Sequence, residues 1–128
     1  MKQVDIFLYI SSKAPRLNGA KYIYVLTCRG KHVSGKGEIK EKTTGHRLVM
    51  TCAVEALKHM NLPSMITIHT NSRYLMNGHG YLASWKENGW KRAGGKNVKN
   101  ADLWQQIYDL QKAHAVKYKY QTNLDVFG

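Results

Sequence analysis

A-S-W-K-E-N-G-W-K-R-A-G-G-K-N-V-K-N-A-D-L-W, from Ala83 to Trp104, holds all three tryptophans of the chain, with four lysines and one arginine against two acids. Flat rings interleaved with cations suit a nucleic-acid backbone, because rings stack on bases or sugars while cations neutralise phosphates. The same pattern also suits two helices around a loop, with the tryptophans in a core and the lysines in water. The remainder of the chain decides between these readings.

Twenty Lys+Arg against eight Asp+Glu give a formal net charge of +12 in 128 residues. A field that positive draws in polyanions. Membrane surfaces compete for that role, but the basic residues do not gather on one amphipathic helix, so nucleic acid is the expected partner and a membrane is not. A hydrophobic share of 43% is that of a globular chain, and the length suits one domain over residues 1–128. Cys28 and Cys52 sit in apolar runs without a C-x-x-C, which points to free thiols in a reducing, cytoplasmic setting. The first residues, M-K-Q-V-D-I-F-L-Y-I-S, interrupt their apolar run with Asp5 and do not read as a leader or a span.

Residues 3–11 are β-branched and aromatic, and predict a strand buried on both faces. A loop over 11–20 follows, punctuated by Pro15 and Asn18-Gly19. Strands over 21–28 and 32–40 join through Arg29-Gly30-Lys31, with Lys36, Glu38 and Lys40 on a solvated face. Thr43-Thr44 then caps a helix whose apolar positions recur from Leu48 to Met60, closed by Leu62-Pro63. Residues 64–70 predict a strand joined in parallel after the crossover. Short helices near 72–77 and 81–87, a helix over 102–114 and a strand over 115–121 complete an α/β chain. The expected sheet is mixed and five-stranded, with three antiparallel strands plus two parallel, and helices packed on it.

These residues resemble the type 1 ribonuclease H family over about residues 3–121. The resemblance is carried by V-D-I-F near the start, G-A-K-Y, R-G at 29–30, T-T-G-H-R before the long helix, H-T-N-S-R-Y after it, and above all by the tryptophan-rich block. That block resembles the family's basic handle, here about 81–101, which grips the DNA strand of an RNA/DNA hybrid. The resemblance implies hydrolysis of the RNA strand by two Mg²⁺ ions held by four carboxylates.

Carried over position by position, the first three carboxylates fall at Tyr9, Val49 and Asn71, and the fourth belongs to a later helix that this sequence does not contain. Mg²⁺ needs anionic oxygen, and two such ions about 4 Å apart repel without it. Tyr9, Val49 and Asn71 supply no carboxylate. Asp5 lies about 13 Å back along its strand from Tyr9, Glu55 lies about 9 Å along the helix from Val49, and Asp125 alone cannot hold two ions. His46, His69 and Asn71 lack an acidic or thiolate neighbour, so neither Mg²⁺ nor zinc is expected, and no cofactor.

The binding positions tell a different story. The resemblance implies a phosphate pocket at Lys42, Thr44 and Asn100, joined by Arg16 from the first loop, with Thr44 equally readable as a plain N-cap. In the handle Trp85, Lys86, Trp90, Lys91 and Arg92 keep the family's residue types, Tyr81 falls at an aromatic that packs on a DNA sugar, and Trp104 reads as core. On the RNA side Gly45, His46 and Arg73 replace two Asn and a Gln, so contacts that read 2′-hydroxyls are weakened. The expected function is therefore a catalytically inactive ribonuclease H-like protein that binds an RNA/DNA hybrid or another duplex. Two alternatives stand beside it: an active hybrid endoribonuclease completed by carboxylates of a partner chain, and a protein-interaction or structural module, with a protein partner or a second copy on the open C-terminal side.

Overall fold

The computed structural model describes residues 1–124. Asp125 lies outside the described residues. Five strands, β1 (Lys2–Ile10), β2 (Leu17–Cys28), β3 (Lys31–Thr43), β4 (Ser64–Thr70) and β5 (Ala115–Tyr120), form one sheet in the order β3-β2-β1-β4-β5. The pairs β1/β2 and β2/β3 are antiparallel, while β1/β4 and β4/β5 are parallel. The expected mixed sheet is therefore observed. Helices α1 (Gly45–Leu57), α2 (Arg73–His79), α3 (Leu82–Glu87) and α4 (Ala101–Gln111) connect and cover it.

Period-two alternation places Ile6, Leu8 and Ile10 of β1, each 0% exposed, beneath α1, whose Leu48, Val49, Cys52, Ala53 and Ala56 form the facing stripe. On the opposite face Asp5, Phe7 and Tyr9 are only half-buried. That corrects the strand expected to be buried on both faces: its apolar run is continuous, but among the described residues only one side carries a helix layer.

Asn18-Gly19 is not a loop. It lies inside β2 as a bulge, with the register slipping between Asn18 and Ala20 and Gly19 at φ 88°. The bulge lets β2 run on to Leu17 and pair with Thr43, which shortens the expected loop and brings residues 11–16 down against the start of α1. There Gly45 N–H donates to Ala14 O at 2.8 Å, and a Cβ on Gly45 would collide with the Lys13 backbone. Two helices also end early. α1 closes at Leu57 rather than at Leu62-Pro63, its last turn tightening through His59 N to Ala56 O at 3.1 Å. α4 closes at Gln111, which frees His114 to accept from Ser64 N at 3.1 Å and pin the start of β4.

Candidate nucleic-acid interface and the cleft beside it

Five aromatic rings run in sequence from the start of α1 to the handle. His46 stacks on Tyr74 at 3.8 Å, Tyr74 tilts against Trp104 at 5.6 Å, Trp104 against Trp85 at 5.5 Å, and Trp85 stacks on Tyr81 at 5.5 Å. Trp104 is 1% exposed and forms the core of this row, as expected, while Tyr81 at its far end is 58% exposed. Gly78 of α2 makes the row possible, because any side chain there would occupy the six-membered ring of Trp104. Trp90 packs edge-on to Tyr108 at φ 64°, a conformation that non-glycine residues seldom adopt. Lys86 reaches over the Tyr108 ring at 6.0 Å, Lys91 donates to Asn97 at 2.7 Å, and Arg92 is exposed.

At the start of α1, Thr44 is the N-cap: its hydroxyl accepts from Arg47 N at 3.1 Å. Lys42 is exposed beside it at the end of β3, and Arg16 is exposed just before β2. Asn100 stands before α4 in the left-handed conformation, φ 61°. Both polar atoms of its amide are bonded, Nδ2 donating to Tyr74 Oη at 3.0 Å and Oδ1 accepting from Arg47 Nη1 at 3.0 Å. Arg47 was not singled out from the sequence, yet it joins Thr44 to Asn100. It also forks onto Asp102 through bonds of 3.0 and 2.8 Å, which hold the Asp102 carboxyl below its ordinary range. Partners 53 and 55 residues apart left no periodic signal for this.

Of the three carboxylate positions, Tyr9 is half-buried on β1, Val49 is 1% exposed in the core, and Asn71 is 3% exposed directly after β4. Ser72 gives its hydroxyl to cap α2, accepting from Leu75 N at 3.0 Å. Both amide atoms of Asn71 are buried without a hydrogen-bond partner among the described residues. Asn71 opens on a cavity of about 280 Å³ lined by Ile10, Lys13, His46, Arg73 and Tyr120 among others, rather than by Tyr9 or Val49. Lys13 Nζ lies 3.4 Å from the Asn71 carbonyl, and the Arg73 guanidinium lies 4.1 Å above the Tyr120 ring. His69 does have an acidic neighbour, contrary to expectation: it bonds Asp5 at 2.8 Å and stacks on Phe7 at 4.2 Å, on the face away from α1. Among the described residues no three His, Cys, Asp or Glu side chains gather closely enough to hold a metal ion.

Partial desolvation, and after it the Lys99 charge, holds the exposed His46 below the ordinary imidazole range, and burial does the same to His79. A depressed folded value means that the unfolded chain binds more protons. Stability is therefore complete above about 6.5, the unfolded value, and is lost as pH falls through it. A lower melting temperature at about pH 5.5 than at about pH 7.5 is expected, with His46→Gln removing part of the difference. Equal melting at both values would contradict it. The Asp102 contribution is lost only below about pH 4 and does not enter this window.

A β3-β2-β1-β4-β5 sheet with its long helix crossing over between β3 and β4, and a basic aromatic handle before α4, defines the α/β class to which nucleic-acid-processing ribonuclease H domains belong. Residues 2–122 match the RNase H family model, and the chain belongs to that family. It is 39% identical over 97 residues to "Ribonuclease H" of Ruegeria pomeroyi, covering 69% of this chain and 63% of that one. It is 41% identical over 91 residues to "Ribonuclease H" of Thiobacillus denitrificans, covering 70% and 60%. The chain thus spans less than two thirds of the length of these relatives. Among solved structures it is similar to LC9-RNase H1, a type 1 RNase H with the type 2 active-site motif, with a TM-score of 0.74 at 21% identity over 96% of this chain and 64% of that one. A foamy viral protease-reverse transcriptase in complex with RNA/DNA hybrid matches with a TM-score of 0.60 at 17% identity, over 94% and 17%. The structural likenesses establish the fold. No helix among the described residues is long and apolar enough to cross a membrane.

Proposed function

We propose that this chain, acting as a single domain, grips an RNA/DNA hybrid or another nucleic-acid duplex through its handle and does not cut it. The observation that carries this reading is the exposed end of the ring row: Tyr81, 58% exposed and stacked on Trp85, stands among the cations Lys86, Lys91 and Arg92. A ring presented that way can stack on a sugar or base while the cations engage phosphates. Trp90 shapes the handle from behind. Thr44, Lys42 and Arg16 form the second contact, at the positive end of the α1 dipole, with Asn100 acting through Arg47.

Members of the family normally work with Mg²⁺. The residues here do not fit it. Tyr9, Val49 and Asn71 offer no carboxylate, Val49 offers no side-chain oxygen, and the Lys13 ammonium stands 3.4 Å from the Asn71 carbonyl. The two free thiols, Cys28 and Cys52, fit a reducing cytoplasm. A second reading, hybrid cleavage, is favoured by the relatives named Ribonuclease H at about 40% identity, and would need carboxylates from a partner chain. A protein partner or a second copy would dock on the half-buried sheet face of Phe7 and Tyr9.

One experiment separates these readings. Labelled hybrid, double-stranded DNA and double-stranded RNA are titrated with the wild type and with Tyr81→Ala, following anisotropy. Truncation of Tyr81 should weaken binding about tenfold, the loss of one stacking contact. The hybrid should stay intact with Mg²⁺ or Mn²⁺ at protein excess. Unchanged affinity in the variant would overturn the grip, and cleavage abolished by EDTA would overturn the inactive reading.

A further inference from the structure

The cleft at Asn71 differs from the family's metal site in charge as well as in residue type. Its lining brings Lys13 and Arg73 to the rim and, among the described residues, contains no carboxylate. The first turn of α1, which borders it at Gly45 and His46, also carries no acid, so the helix dipole adds to the positive field. A divalent cation is repelled from such a place. We infer that this cleft binds a phosphate group directly, without a metal, between Lys13, Arg73 and the buried amide of Asn71.

Asn71 narrows the ligand chemistry further. The residue is 97% buried by its 3% exposure, and neither its Nδ2 nor its Oδ1 has a partner among the described residues. A buried amide left without bonds is costly, and it needs one acceptor and one donor to be satisfied. Fully ionised sulfate or a carboxylate presents acceptors only. Hydrogen phosphate presents anionic oxygens and one O–H, and a ribonucleotide linkage presents the same pair through its phosphate and adjacent 2′-hydroxyl. Arg73 is already held in place by the Tyr120 ring, and Lys13 by the backbone carbonyl of Asn71, so the adjustment that binding requires is a turn of the Asn71 side chain, whose buried amide must come to face the cleft. The ligand class is therefore a phosphate accompanied by a hydroxyl donor.

Inorganic phosphate is the probe. The side-chain amide resonances of Asn71 are followed by NMR in the full chain, at constant ionic strength, with sulfate as the matched dianion. Phosphate should produce a saturating shift, and sulfate should bind at least about fivefold more weakly for want of one hydrogen bond. Lys13→Ala and Arg73→Ala should each weaken phosphate at least about fivefold as well, the loss of a charge-assisted bond. Both side chains are exposed, so the fold survives either change, and Lys13→Ala leaves the Arg73–Tyr120 contact untouched. A ribodinucleotide and its deoxy counterpart, tested as competitors, tell the two sources apart: displacement by the ribo form assigns a nucleic-acid linkage, and displacement by neither assigns the free ion. Equal shifts with phosphate and sulfate, or phosphate binding indifferent to both variants, would overturn the inference. So would a saturating Asn71 shift with Mg²⁺ alone. The inference goes beyond the grip and stands apart from it, since Tyr81→Ala should leave the phosphate titration unchanged.

Discussion

Raising NaCl from about 50 to about 200 mM should weaken duplex binding by the wild-type chain about 250-fold, with a log–log slope near −4. The count behind this slope comes from which cations are free to meet phosphate. Lys86, Lys91, Arg92, Lys96 and Lys99 of the handle are all exposed, as is Lys42 at the end of β3. Lys91 bonds the neutral Asn97 and keeps its charge for a ligand. Arg47 is different: its guanidinium is neutralised by the fork onto Asp102, so it orders the start of α1 without adding a released counterion. With about five of these six cations engaging phosphate at once, at nearly one released ion each, the slope follows, and affinity at low salt should be micromolar or tighter. Removing Lys86, Lys91 and Arg92 together should flatten the slope by almost three. A wild-type slope near zero would show that the +12 charge is only a solvated surface, and would leave the open sheet face as the better interaction site.

The fold was legible because its signals are local. Alternation in Val4, Ile6, Leu8 and Ile10, the 3.6-residue recurrence from Leu48 to Leu57, and the Thr44 cap each need only near neighbours in sequence. Asn18-Gly19 misled for the same reason. That pair favours a turn locally, and only the partner strand β3 makes it a bulge. Tyr81, Trp85 and the handle cations could be placed because they share one short segment with a distinctive spacing. The Asn71 cleft could not. Lys13 and Asn71 are 58 residues apart, and what brings them together is the bulge-shortened loop pressed onto Gly45. The sequence shows which carboxylates are absent; that Lys13 and Arg73 stand around the Asn71 position depends on packing. The engaged amide of Asn100 belongs with this group, since its partners Tyr74 and Arg47 lie on two other helices.

Gly78→Ala should destabilise the chain by on the order of 3 kcal/mol, lowering the melting temperature by roughly 10 °C. Two effects oppose each other at this position. In an exposed helix, alanine gains about 1 kcal/mol over glycine from its lower conformational freedom. Here the added methyl would occupy the space of the Trp104 ring, a rigid group that is 1% exposed and also bonded through Nε1 to Tyr74 Oη at 3.4 Å. The ring cannot turn aside without breaking that bond and its contacts with Tyr74 and Trp85, so the steric cost outweighs the propensity gain. The consequence extends to the handle, because Trp85 is seated against Trp104 and Tyr81 against Trp85. Nucleic-acid affinity should fall along with stability, even though Gly78 itself is buried and touches no ligand. Trp104→Phe in the Gly78→Ala background should recover part of the loss by clearing the clash, and the two changes should be non-additive in a double-mutant cycle. A stabilising effect of Gly78→Ala would mean that helix propensity alone governs the site and that the ring row is not what positions the handle.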